Sequence, residues 1–225
     1  MTLLTDDADY DDEGFRTCSV TGLDIHKTAE GHVKLFGLTA VIAMLVGGIF
    51  AFTVVTTRWE VIGLLGPDSY YQHLTLHAWN LLIFWMVFME IAILYVGGPM
   101  ILGRRLPLTI AAKAGWGLMA LGAVLINVSV FTAGGFPDEN APLLTGYVPL
   151  EAPTEFYAAV ILFILGAVVA ALPFFLTMWR ERREFPSQSL PLVAFGAFIT
   201  SIIAFEALVG GLLAFVYAFL WRIDV

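Results

Sequence analysis

Five stretches of the chain stay apolar long enough to cross a bilayer. The first, Leu35 to Thr57, runs 23 residues without a charge. As a helix it would span about 34 Å, against roughly 30 Å for the hydrocarbon core of a membrane. The others run from about Leu74 to Leu102, from Ala114 to Ala133, from Phe156 to Trp179 with Pro173 near its end, and from Pro191 to Trp221. None alternates polar with apolar positions, as the short strands of a membrane barrel must. The pattern predicts an all-α integral membrane protein, a five-helix transmembrane bundle. Residues 1–33 carry eight acids and predict an acidic, mobile cytoplasmic tail; residues 34–225 form the transmembrane helical domain.

Composition narrows the picture further. Of the 225 residues 59% are hydrophobic and 13% charged, against about 25% charged in soluble domains, which excludes a water-soluble globule. A net charge of -8 with 11 basic residues excludes a nucleic-acid-binding surface. Membrane lipid is the expected surrounding. The single Cys18 excludes an internal disulfide or a cysteine metal cluster. The opening MTLLTDDADYDDEG has acids where a signal peptide needs a basic region.

Basic residues orient the spans. Arg104, Arg105 and Lys113 follow the second span, and Arg180, Arg182 and Arg183 follow the fourth. The long connection between the third and fourth spans, Gly134 to Glu155, carries Asp138, Glu139, Glu151 and Glu155 and no base. The excess of bases on cytoplasmic loops puts the first two loops and the N-terminus inside and the C-terminus outside, with Arg58 and Arg222 as opposing votes.

Polar residues within spans are costly and so mark candidate function. The second span holds His73, His77, Asn80 and Glu90, and the fifth holds Glu206. His73 and His77, four apart, share a helix face. His73 is expected at headgroup level, needing no protein partner. His77, one turn further in, is either a hydrogen-bonded histidine or a ligand to haem iron, with one nitrogen on the metal and the other fixing the tautomer. Gly37, Gly47, Gly48, Gly115, Gly117 and Gly122 leave room either for a haem or for close helix packing. His26 and His32 are expected ahead of the first span, a membrane away from His77. The chain then offers no second histidine at that depth, and the opposite ligand must come from another chain, from a methionine or from nothing. Glu90 and Glu206 are either parts of a proton path or neutral acids hydrogen-bonded within the bundle or to a partner subunit.

The run Tyr70-Tyr71-Gln72-His73-Leu74-Thr75-Leu76-His77 closely resembles the start of the second helix of haem-copper terminal oxidase subunit I, above all its B-type branch. Leu23-Asp24-Ile25-His26-Lys27 is similar to that family's stretch before the first helix. Gly146-Tyr147-Val148-Pro149-Leu150, followed by Glu155-Phe156-Tyr157, is similar to the outer loop of the B-type branch. The resemblance covers about residues 20–225. It implies that His77 is an axial ligand of a low-spin haem, and that the chain passes electrons within a cytochrome c or quinol oxidase of the prokaryotic cell membrane. Ala78 departs from the family's glycine, and the acid that many A-type members carry after the second helix is absent from Ile101 to Pro107. Family members have at least twelve helices, so a second polypeptide with the remaining subunit I helices, among other oxidase subunits, is the expected partner. The haem is expected to be shared with another chain, and oxygen reduction is not expected of these five helices alone. The alternatives are a non-catalytic structural or assembly subunit of a respiratory complex and a small b-type haem protein.

Overall fold

The protein is described by a computed structural model, which covers residues 10–132 and 152–224. The order is β1 (Phe15–Thr17), β2 (Asp24–His26), α1 (Lys27–Arg58), α2 (Pro67–Ala78), a π-helical segment Trp79–Phe84, α3 (Trp85–Tyr95), a second π segment Val96–Met100, α4 (Thr109–Thr132), α5 (Thr154–Glu184) and α6 (Leu192–Arg222). Five helices are long and apolar enough to cross a membrane: Lys27–Arg58, Ser69–Met100, Thr109–Thr132, Thr154–Glu184 and Leu192–Arg222. The expected five-span, all-α architecture is what the chain forms.

The beginning of the chain differs from expectation. The described part of the supposed tail is a hairpin, β1 antiparallel to β2, with Phe15 opposite His26 and Thr17 opposite Asp24. Helix α1 begins at Lys27, so its first turns lie before the expected boundary at residue 33. His26 explains the early start. Its Nδ1 accepts from the Thr28 backbone N–H at 3.1 Å, capping the helix, while Nε2 lies 3.2 Å from the Glu13 carbonyl. A buried Glu30 then fastens the hairpin to α1. It takes two hydrogen bonds from Arg16 (2.8 and 2.9 Å), one from the Tyr10 hydroxyl (3.0 Å) and an ion pair from Lys34 (2.9 Å).

The chain groups into two compact units, and every long helix contributes to both. The first holds residues 10–38, 88–117 and 166–208. Its core is built on Phe36, Phe88, Tyr95 and Phe174. Tyr95 stands edge-on to Phe36 and donates from its hydroxyl to the Ala170 carbonyl. Arg104 pairs with Glu181 at 2.8 Å and Glu184 at 3.1 Å, so the two basic loops lie at the same end of this unit. Pro99 sits inside the second π segment, where the Ile101 N–H bonds to the Val96 carbonyl five residues back. A proline lacks the N–H that a regular helix would use, and the wider turn supplies other partners.

The second unit holds residues 39–87, 118–132, 152–165 and 209–224. Leu76, Phe84, Ile126, Phe156 and Phe163 form its core. Lipid is as apolar as these side chains, so close packing rather than water exclusion holds such helices together. Glycines permit it: a Cβ on Gly122 would lie 2.8 Å from the Phe163 backbone nitrogen, and in the first unit one on Gly115 would lie 2.6 Å from that of Ala170.

Candidate functional site

The YYQHLTLH run opens α2, and its residues divide their tasks. Pro67 starts the helix, where a missing N–H costs nothing. Gln72 donates to the Val130 carbonyl at 3.0 Å and the Phe131 carbonyl at 2.8 Å, capping the end of α4. Leu76 is buried and Thr75 bonds back to the Tyr71 carbonyl. The two histidines turn toward α1. His73 Nδ1 is hydrogen-bonded to Thr53 Oγ1 at 2.9 Å and its ring stands edge-on to Phe50. It therefore has a protein partner, contrary to the reading that headgroups and water would suffice.

His77 is half-buried, and its Nδ1 lies 3.0 Å from the Gly47 carbonyl oxygen. A carbonyl only accepts, so Nδ1 is the donor, and in the neutral imidazole Nε2 keeps its lone pair. Among the described residues Nε2 has no hydrogen-bond partner. The close approach depends on Gly47 having no side chain: a Cβ there would lie 2.8 Å from Leu81 Cγ and 3.1 Å from Asn80 Cβ. Of the six glycines singled out from the sequence, Gly47, Gly115 and Gly122 meet a neighbouring helix, whereas Gly37, Gly48 and Gly117 face open space.

Immediately after His77 the helix widens into the π segment Trp79–Phe84, closed by the Trp85 N–H on the Asn80 carbonyl. Such a wide turn rotates everything beyond it by about one residue's angle, and π turns concentrate at functional sites. Asn80 holds it from inside. Its Nδ2 donates to the Leu76 carbonyl at 2.8 Å and to Asn127 Oδ1 at 2.6 Å, and Asn127 Nδ2 returns a longer bond of 3.4 Å to Asn80 Oδ1. The sequence marks Asn80 only as a polar residue within a span and gives Asn127 no role. An asparagine in each of two apolar spans was the available signal.

A haem iron ligand needs a neutral imidazole, one nitrogen tied by its proton and the other open. His77 meets that requirement. His73 is unsuited to the opposite side of the same iron, because residues four apart on a helix approach a metal from one side.

The remaining candidates do not join this arrangement. His26 ends β2, and His32 lies within α1 rather than ahead of it, 6% exposed, with Nδ1 donating to the Thr28 carbonyl at 2.7 Å. Glu90 is half-buried in α3, and Glu206 is exposed midway along α6. Among the described residues neither forms an ion pair, and no bond links the two. No group of three or more metal-binding side chains is found among the described residues. The expected outer-loop residues Asp138, Glu139, Gly146 to Leu150 and Glu151 lie outside the described residues.

Compared with protein families, residues 32–224 match the model of the Cytochrome C and Quinol oxidase polypeptide I family. The chain belongs to this family. It is a terminal oxidase subunit I-like integral membrane protein, and the match begins within the first membrane helix and takes in the other four, His77 and its Gly47 partner. No curated protein matches the chain. Members of this oxidase family bind haem, which makes the free Nε2 of His77 the atom of interest.

Proposed function

We propose that this oxidase subunit I-like chain holds a low-spin haem through His77 and serves electron transfer within a terminal oxidase that draws on cytochrome c or quinol. The observation that carries the reading is the Gly47 carbonyl holding His77 Nδ1–H at 3.0 Å while Nε2 stays free. Gly47 orients the ring and fixes its tautomer, and the Asn80–Asn127 pair holds the π turn that follows it. The haem, when bound, would supply one-electron redox chemistry, and His77 Nε2 would hold it. The residues that complete the haem site, and those of an oxygen-reducing centre, would come from another chain. The Tyr70 to His77 run supports membership of the B-type branch.

Two further assignments belong to the same reading. Glu206 has an exposed carboxyl midway along a membrane helix, where an unaccompanied charge costs roughly 3 kcal/mol. It therefore meets a wet path or a neighbouring subunit, and with Glu90 it serves proton movement. The loops at Arg104 and Arg180 face the cytoplasm of a prokaryotic cell and the 133–151 segment faces outward. Labelling a cysteine placed at Glu139 in intact cells tests that orientation.

The decisive experiment is His77→Ala in the intact complex, read by haem content and by the low-spin visible band. The band should disappear, and His77→Met should retain haem at a shifted potential, since the axial ligand is a main lever on that potential. An unchanged band in His77→Ala refutes the ligand assignment. Glu206→Gln should slow proton-coupled turnover at unchanged haem content; normal turnover removes Glu206 from the path.

A further inference from the structure

Trp79 and Phe84 meet across the π turn that follows His77, with ring centroids 5.8 Å apart. Five residues of regular α-helix advance about 500°, which would leave those two side chains roughly 140° apart. A π turn closes on the fifth residue instead and brings them to one side. There they seat on α5, Trp79 edge-on to Phe156 at 5.6 Å and Phe84 against Phe163 at 5.1 Å. Phe156 and Phe163 are about two turns apart, so α5 offers both on one face. The aromatic seam thus fits the wide turn and not a regular helix.

The same turn fixes where His77 points. From His77 to Phe84 a regular helix would advance about 700°, within roughly 20° of two full turns. An unbroken α-helix with Phe84 docked on α5 would therefore aim His77 toward α5 as well. In the structure His77 turns to α1, with Nδ1 3.0 Å from the Gly47 carbonyl oxygen. It stands about 200° from Trp79, on the side away from the seam.

One pair of side chains holds this turn. Asn80 is buried, and its Nδ2 reaches back past His77 to the Leu76 carbonyl at 2.8 Å and out to Asn127 Oδ1 on α4 at 2.6 Å. The side-chain amide competes with the backbone for the Leu76 carbonyl, which favours the wide turn over a regular one. Asn127 is fixed in turn by its bond to the Ala123 carbonyl at 2.9 Å. Gly47 closes the other flank, where a Cβ would stand 3.2 Å from the Leu81 backbone nitrogen.

We infer that Asn80 and Asn127 are positioning residues for haem ligation, an inference that rests on His77 as the iron ligand. The amide pair holds the wide turn, the turn keeps His77 toward Gly47, and the bond to Gly47 leaves Nε2 for the iron. Without the pair the helix returns to its regular phase, and His77 swings toward α5 and loses Gly47.

The test is Asn80→Leu combined with Asn127→Leu, an apolar pair of similar size that keeps the helices packed. The first readout needs no haem. In the full chain in lipid, isotopically labelled in histidine nitrogen and glycine carbonyl carbon, the dipolar coupling of His77 Nδ1 to the Gly47 carbonyl reports the ring's orientation. His77→Gln identifies that coupling by its absence. The coupling should be lost in the double variant. In the intact complex the affinity for haem should fall about tenfold to a hundredfold, the range for groups that orient a ligating histidine, and the low-spin haem retained should show a shifted potential. Ser129→Ala, which removes another buried polar group of α4, is the control and should change neither. A double variant that keeps the coupling and the wild-type potential would overturn the inference, because a pair with a packing role alone leaves both unmoved. Equal effects in Ser129→Ala would overturn it too. Loss of the coupling with an unchanged haem would uphold the amide pair as the holder of His77 and refute His77 as the iron ligand.

Discussion

Replacing Gly115 by alanine tests the helix contact on which the first unit depends. The new Cβ would stand 2.6 Å from the Ala170 nitrogen and 2.7 Å from the Gly166 carbonyl oxygen. Non-bonded carbon contacts settle near 3.5 Å, so α4 must retreat by roughly 0.9 Å. Both neighbours are backbone, and no side chain can rotate aside. Overpacking of this kind costs about 1–3 kcal/mol, while alanine returns up to about 1 kcal/mol of helix propensity. With the full propensity gain the net loss should be about 0–2 kcal/mol. Gly117, two positions on, meets nothing within 4 Å, so the same replacement there keeps only the propensity gain. Thermal unfolding in one detergent, followed by circular dichroism, should show a lowered Tm for Gly115→Ala and an unchanged or raised Tm for Gly117→Ala. Equal midpoints would refute the backbone contact between α4 and α5.

Burial holds the His26 imidazole below its ordinary value, with the Arg105 and Lys27 charges acting in the same direction. The unfolded segment therefore gains a proton first as pH falls from about 6.5 toward the depressed value, and hairpin stability is lost across that window. Amide protection over residues 15–26, taken relative to the intrinsic exchange rate at each pH, should be stronger at pH 7.5 than at pH 5.5, and a flat profile would contradict the cap. Asn80→Leu alone strands Asn127 and should cost about 1–2 kcal/mol in the same unfolding assay, whereas the double replacement with Asn127→Leu should recover most of it. The Cys18 thiol, brought down to about 7 by its hydrogen bonds with Thr21, should react with iodoacetamide at pH 7 at about half its limiting rate; a midpoint near 8.5 would contradict that arrangement.

The number of spans and their approximate limits were legible in the chain because twenty or so consecutive apolar residues admit one solution in lipid, a helix that satisfies its own backbone. The run from Tyr70 to His77 marked His77 as the candidate because an imidazole within a span needs a reason to be there. The ends of elements were less legible. A histidine cap and a buried Glu30 carry α1 back to Lys27, and these depend on contacts with Glu13, Tyr10 and Arg16 that no periodicity signals. The π turn after His77 was equally hidden. Trp79-Asn80-Leu81-Leu82-Ile83-Phe84 contains no glycine or proline to announce it. Tertiary contacts accompany the wide turn there: the Asn80–Asn127 amide pair and the close passage of Gly47. The sequence by itself thus determined that these helices cross a membrane and that His77 stands inside one of them. Which nitrogen of His77 is left free was decided only by the tertiary structure, because the partner that holds the other is a backbone carbonyl thirty residues away.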